Sequence, residues 1–326
     1  MKPIVRDDAL VVLRRDFLEK PALGHLRRVR GRIKRGWTFG ITSCLLSLGD
    51  VGNSSRHLQS LKMRIISVIN AKGGCGKSTM AMSLAAGLGL RGRKVLLVDM
   101  DPQAQITLWL NAGDGLSIPG SLLSAFLGRQ TLREVIQKTA LPGVSFVAST
   151  DALEEFGRRV TEDSDYATLF ARLLLDPGTP AFDFAVIDSP NQISPIMENA
   201  VFATDLFVVP FESTKSVRSY ANFFKLVLKL RPEEDHVTLH VLSNLSRQPG
   251  LRTEVLQVMN SHGIWPARTE VRSCGWLARV DEHGGSIFRY RPHSHGAEDM
   301  AALTDEVLSF FQPVKKAPKT SEGPAK

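Results

Sequence analysis

The sequence predicts an α/β protein in which a doubly wound, mostly parallel sheet carries helices on both faces. Three observations lead there. Short apolar runs alternate with helical stretches from Arg64 onward. Those runs are apolar throughout instead of at every second residue, as strands covered on both faces must be. A glycine-rich loop, "AKGGCGKST", joins the first run to a helix, and open sheets of this kind bind ligands at the carboxyl ends of their strands.

In chain order, strands are expected at "RIISVIN" (64–70), "KVLLVD" (94–99), "VSFVAS" (144–149), "FDFAVID" (182–188), "LFVVPF" (206–211) and "VTLHVLSN" (237–244). Helices are expected between them at 78–91, 165–175, 194–203 and 215–230. The domain so defined covers residues 63–312. The tail 313–326, "PVKKAPKTSEGPAK", is rich in lysine and proline with almost nothing to bury, and is expected to be disordered. Residues 1–62 differ from the body: "HLRRVRGRIKRG" is followed by an apolar "WTFGITSCLLSLG" too short to span a bilayer. They read as a poorly ordered basic extension or as sequence upstream of a start at Met63. A DNA-contacting arm or a small helix-turn-helix is the alternative.

At 326 residues, 43% hydrophobic and 23% charged, the chain can bury a large core. Its three cysteines, Cys44, Cys75 and Cys274, form neither a CxxC pair nor a metal spacing, which points away from a disulfide scaffold or zinc site and toward a reducing cytoplasm. The net charge of +8 sits wholly in residues 1–62, which hold 13 basic and 5 acidic residues; residues 63–326 balance at 28 of each. Any DNA binding by the body must therefore come from a local patch.

The loop is built for phosphate. Gly73, Gly74 and Gly76 let the backbone close around phosphate oxygens, and the helix that starts near Ser78 points its positive end at them. Lys77 is placed to neutralise the β- and γ-phosphates, and the Ser78 hydroxyl is placed for Mg²⁺. The general pattern GxxxxGK[ST] needs glycine where Ala71 stands, whereas KGGxGK[ST] is matched in full, with Lys72 as an additional lysine.

"KGGCGKST" resembles the deviant Walker A loop of the ParA/MinD ATPases, a P-loop NTPase family. The resemblance implies ATP and Mg²⁺ as cofactors held by Lys72, Gly73, Gly74, Cys75, Gly76, Lys77, Ser78 and Thr79. It also implies a homodimer formed on ATP, in which Lys72 reaches the phosphates bound by the other subunit. "VLLVDMDPQAQIT" (95–107) is similar to the second motif, giving Asp101 the attacking water and placing Asp99 nearer the metal. "FDFAVIDSP" is similar to the Walker B strand, with Asp188 holding Mg²⁺ through water. The catalytic set implied is Lys72, Lys77 and Asp101, and the metal set Ser78, Asp99 and Asp188. One aspartate ending a strand is more often a turn or cap residue; three such elements in order are not. The chain departs from the family at "SPNQISP" after Asp188, where two adjacent prolines are common.

"VVPFESTKSVRSY" is similar to the strand and helix that close the family's nucleotide pocket, so Pro210, with Asn244 further on, is expected at the nucleotide. "SIFRYRPHSHGAEDMAALTDEVL" is similar to the closing segment of ParA-type partition proteins. The tail lacks the amphipathic helix by which MinD-like members lie on membranes. Nor does the chain carry the paired cysteines of nitrogenase-reductase relatives or the tyrosine cluster of tyrosine-kinase relatives.

The remaining ParA-type branch implies a slow ATPase that binds DNA non-specifically as a dimer, with Arg247, Arg272 and Arg279 as DNA-contacting candidates. Residues 268–291 hold five arginines against three acids, a pattern open to either a phosphate-contacting patch or a salt-bridged surface. A ParB-like or cargo-adaptor protein is implied as activator, in the cytoplasm on the nucleoid. Chromosome or plasmid partition, positioning of a protein cargo, and a regulatory or secretion-linked ATPase without DNA binding all remain open.

Overall fold

The computed structural model describes residues 11–13, 63–114, 120–160, 165–232, 236–244 and 250–311. The 313–326 tail, Arg247 and, apart from Val11–Leu13, the 1–62 extension lie outside them.

Among the described residues eight strands form one sheet: β1 (Val11–Leu13), β2 (Arg64–Val68), β3 (Val95–Asp99), β4 (Gln137–Lys138), β5 (Val144–Val147), β6 (Phe184–Asp188), β7 (Leu206–Phe211) and β8 (His236–Leu242). Their order across the sheet is β1-β8-β7-β2-β6-β3-β5-β4. The six inner strands are parallel, while β1 and β4 pair antiparallel at the two edges. The inner six are the strands the apolar runs predict. Neither edge strand is among them: Gln137–Lys138 is two polar residues with no strand period, and Val11–Leu13, though apolar, lies in the 1–62 extension, outside the regular alternation.

Both faces of the inner strands are covered, which is why they are apolar throughout. Ile66, Val68, Val95, Leu97 and Val186 enter one core, and Ile65, Leu96, Val98, Ala185 and Ile187 enter the core on the opposite face. The helices that bear on the site are α1 (Lys77–Leu90), α2 (Gln105–Asp114), α3 (Pro195–Ala203), α4 (Thr214–Leu230), α5 (Leu251–Ser261) and α6 (His295–Phe311). α1 is buried over most of its circumference. It approaches α6 so closely that a Cβ on Gly87 would lie 2.4 Å from Thr304 Oγ1, a contact only glycine permits.

Register decides where the chemistry collects. Val68 and Asp99 both pair with Asp188, so the last residues of β2, β6 and β3 stand abreast at one end of the sheet.

Candidate nucleotide site

The phosphate loop leaves β2 at that end and enters α1 at Lys77. Gly74 and Gly76 have φ of 76° and 85°, and Gly76 in this left-handed conformation starts the helix. The Lys77 side chain is buried and folds back so that Nζ donates to the Lys72 carbonyl at 3.2 Å. Buried Cys75 turns Sγ toward the same carbonyl, also at 3.2 Å, and burial pushes its thiol pKa up. The loop is thus wound around the Lys72 carbonyl at the start of α1.

Three carboxylates lie near this loop. Asp188 is fully buried, and neither of its oxygens has a hydrogen-bond partner of normal geometry. Burial and then the charge of Asp99 raise its pKa well above the carboxylate range, against the pull of Ser78 and Lys77. Asp99 is also fully buried, and burial lifts it to about 7. Its oxygens are engaged from behind: Oδ2 accepts from Thr107 N at 2.9 Å and Thr107 Oγ1 at 2.8 Å, and Oδ1 from Asp101 N at 3.2 Å. Asp101 accepts from Gln103 N at 3.0 Å and is raised by burial, with Lys77 opposing.

An unpartnered buried carboxylate beside a serine hydroxyl is a hard-oxygen donor set, which fits Mg²⁺. Among the described residues no group of three or more His, Cys, Asp or Glu converges as a metal cage. Asp99, placed nearer the metal by the resemblance, also anchors Thr107 and with it the start of α2.

Beside the loop lies a cavity of about 230 Å³ walled by Gly74, Gly76, Thr79, Asn244, Arg272 and Cys274, among others. Asn244 lines this cavity at a φ of 57°, with its N–H on the Val271 carbonyl at 2.8 Å. Pro210 is buried within β7, its carbonyl accepting from Asn70 Nδ2 at 3.0 Å, and is not a cavity wall.

The arginine candidates differ from one another. Arg272 is gripped by Asp299, from Nε at 2.9 Å and Nη2 at 2.7 Å, with its own N–H also on Asp299 at 2.9 Å. Arg279 is exposed, 3.7 Å from Glu282 and 5.8 Å from the Trp276 ring centre. Arg291, noted in sequence only as part of a basic stretch, lies over the same ring at 3.8 Å, and His283 stacks on Tyr290 at 4.7 Å. Residues 276–291 therefore present guanidinium groups set on aromatic faces.

Three site residues escaped sequence reasoning. Thr107 supports Asp99. Asn191, in the "SPN" departure, lies against the loop: its Nδ2 is 3.2 Å from where a Cβ on Gly73 would stand. Glu212 walls the cavity and pairs with Lys72. An acid directly after a parallel strand on the ligand side was the signal for it. Among the described residues no helix is long and apolar enough to cross a membrane.

A family model described as an AAA domain matches residues 63–236. The chain is 29% identical over 247 residues to the cell division protein PomZ of Myxococcus xanthus, covering 74% of this chain and 76% of PomZ. It is 35% identical over 155 residues to the chromosome partitioning protein ParA of the same organism, covering 46% of this chain and 52% of that protein. The solved structure of cobyrinic acid a,c-diamide synthase from Mycobacterium smegmatis with bound ATP analogue and magnesium shares the fold. Its TM-score is 0.66 at 22% identity, over 79% of this chain and 99% of that one.

Proposed function

The chain belongs to the ParA-type ATPase family of partition and positioning proteins, and from that membership we propose that it is an ATP-gated dimerising switch that holds DNA without reading its sequence. The observation that carries the reading is the buried, unpartnered Asp188 carboxylate beside Lys77 and Ser78. A triphosphate that arrives with its cation answers all three groups at once.

Lys77 and the loop N–H groups hold the phosphates of ATP, while Asp188 and Ser78 hold Mg²⁺. When bound, the cation screens the triphosphate charge and stabilises the transferring phosphoryl group. Asp101 orients the attacking water. Lys72 of each subunit enters the other's site, so turnover is slow until dimer and activator complete it. The exposed apolar side chains of Leu108 and Ile193, which follow Asp101 and Asp188 in the chain, suit a face that a second subunit covers. Closure lets both subunits' arginines meet DNA together, multiplying two weak contacts. Arg279 and Arg291, set on Trp276, are better placed for phosphate than Arg272, which Asp299 already holds. A ParB-like or cargo-adaptor protein triggers hydrolysis, and the nucleoid is the site of action.

Binding of a random-sequence duplex by the full chain, with ATP and with ADP across a salt series, tests this. Tight, salt-sensitive binding with ATP alone supports the reading, and equal binding with either nucleotide defeats the gating. Positioning of a cargo on the nucleoid is the second reading, and the similarity to a cell division protein favours it. Recovery of a specific non-DNA-binding partner that stimulates the ATPase would select it over genome partition.

A further inference from the structure

The ammonium of Lys72 is already occupied within its own chain: it is ion-paired with Glu212. Glu212 follows β7 directly, and its position is fixed from three sides. Its N–H donates to Ser216 Oγ at 3.1 Å, Ser213 Oγ donates to Glu212 Oε1 at 3.1 Å, and the residue walls the cavity beside Gly74 and Gly76. The two side chains are 28% and 20% exposed, so the pair is shielded yet reachable. The Lys72 carbonyl meanwhile anchors Lys77 and Cys75, so the backbone is held while the side chain alone can be released.

An ammonium is one compact charge with three donors, so a carboxylate that holds it inside its own subunit competes for it with a phosphate bound by another. We propose that Glu212 is a positioning residue for Lys72: it parks the lysine inside the subunit, and dimerisation requires exchange of this carboxylate for the partner-bound phosphate. The inference rests on the dimer reading above and adds to it a resident competitor that sets how much ATP the switch needs. Glu212→Gln keeps the shape and removes the charge, so it lowers the ATP concentration for half-maximal dimerisation roughly two- to fivefold, the range of a partly exposed ion pair.

Two measurements on the full chain test it. In nucleotide-free protein, a pulse of acetic anhydride read by mass spectrometry reports Lys72 reactivity, with exposed Lys225 as internal reference. Glu212→Gln should raise Lys72 labelling, and Glu212→Asp should restore part of the protection; unchanged labelling overturns the proposal. Sedimentation velocity across an ATP titration then compares wild type with Glu212→Gln, and Lys72→Ala with the double variant. A lower ATP requirement that vanishes in the Lys72→Ala background supports parking. A higher requirement overturns it and assigns Glu212 to the partner's lysine. If labelling rises but neither wild type nor variant ever dimerises on ATP, gating falls together with the dimer reading while the intrachain pair stands.

Discussion

Gly76 and Arg272 face the same cavity from walls built in different ways. The Gly76 wall is held by backbone and apolar packing: parallel strands below, a helix buried nearly all round, and a glycine contact against α6. The Arg272 wall is irregular chain gripped by side chains. Glu306 accepts from Arg268 N at 2.9 Å and Thr269 N at 2.8 Å, Asp299 holds Arg272, Tyr290 Oη donates to the Trp276 carbonyl at 2.7 Å, and His240 Nδ1 meets the Trp265 carbonyl at 3.1 Å. Hydrophobic burial and strand pairing respond little to pH or charge, whereas buried polar anchors respond to both. The pocket thus pairs a fixed phosphate wall with a wall whose closure can be tuned.

The largest test attacks the fixed wall. Lys77→Ala should weaken ATP binding by at least about 30-fold, the lower end of removing one member of a buried charge pair. Calorimetry should show this with the melting temperature nearly unchanged; an equal loss of stability would mean the walls are not separate.

Next comes acid. Burial holds His240 at about 4 when folded, against an unfolded value near 6.5, so the unfolded chain takes up the proton first. This contribution is fully present above about pH 6.5 and is lost as pH falls toward 4, a total of about 3 kcal/mol. Urea titrations should show a shallower acid loss in His240→Phe, which keeps the stacking on Phe211. Hydrogen exchange at pH 5 should rise at residues 264–272 before it rises in β2 and α1.

Glu306→Ala leaves two backbone N–H groups without their acceptor and should cost about 1–3 kcal/mol by urea unfolding. Faster tryptic cleavage at Arg268 should accompany it. The smallest effect belongs to the surface: Arg291→Ala should weaken duplex binding modestly and reduce the salt slope by about one, with ATP dimerisation intact.

The two walls also differed in how far the sequence disclosed them. The apolar runs, the glycine loop and the aspartates at or just past the strand ends follow from short-range pattern, and register then brought Asp99 and Asp188 side by side as the doubly wound topology requires. Which Asp188 neighbours were satisfied could not be read, since Thr107 reaches Asp99 only once α2 is in place. The grip of Asp299 on Arg272 and of Glu212 on Lys72 joins residues 27 and 140 positions apart, beyond any local pattern. The arginine stretch showed charge, while the aromatic seats of Arg279 and Arg291 depend on how a loop folds around Trp276.

The antiparallel strands at the rims of the sheet carry a consequence for a protein that, on the proposed reading, gathers on a shared track. A bare rim strand offers unpaired N–H and C=O groups to any copy nearby, and accumulation on one surface multiplies such encounters. Among the described residues each rim ends in a strand of two or three residues, too short to template another sheet. Val11–Leu13 covers β8, so trimming the chain back to Met63 would bare part of a seven-residue rim and convert a crowded but separate population into one prone to stick.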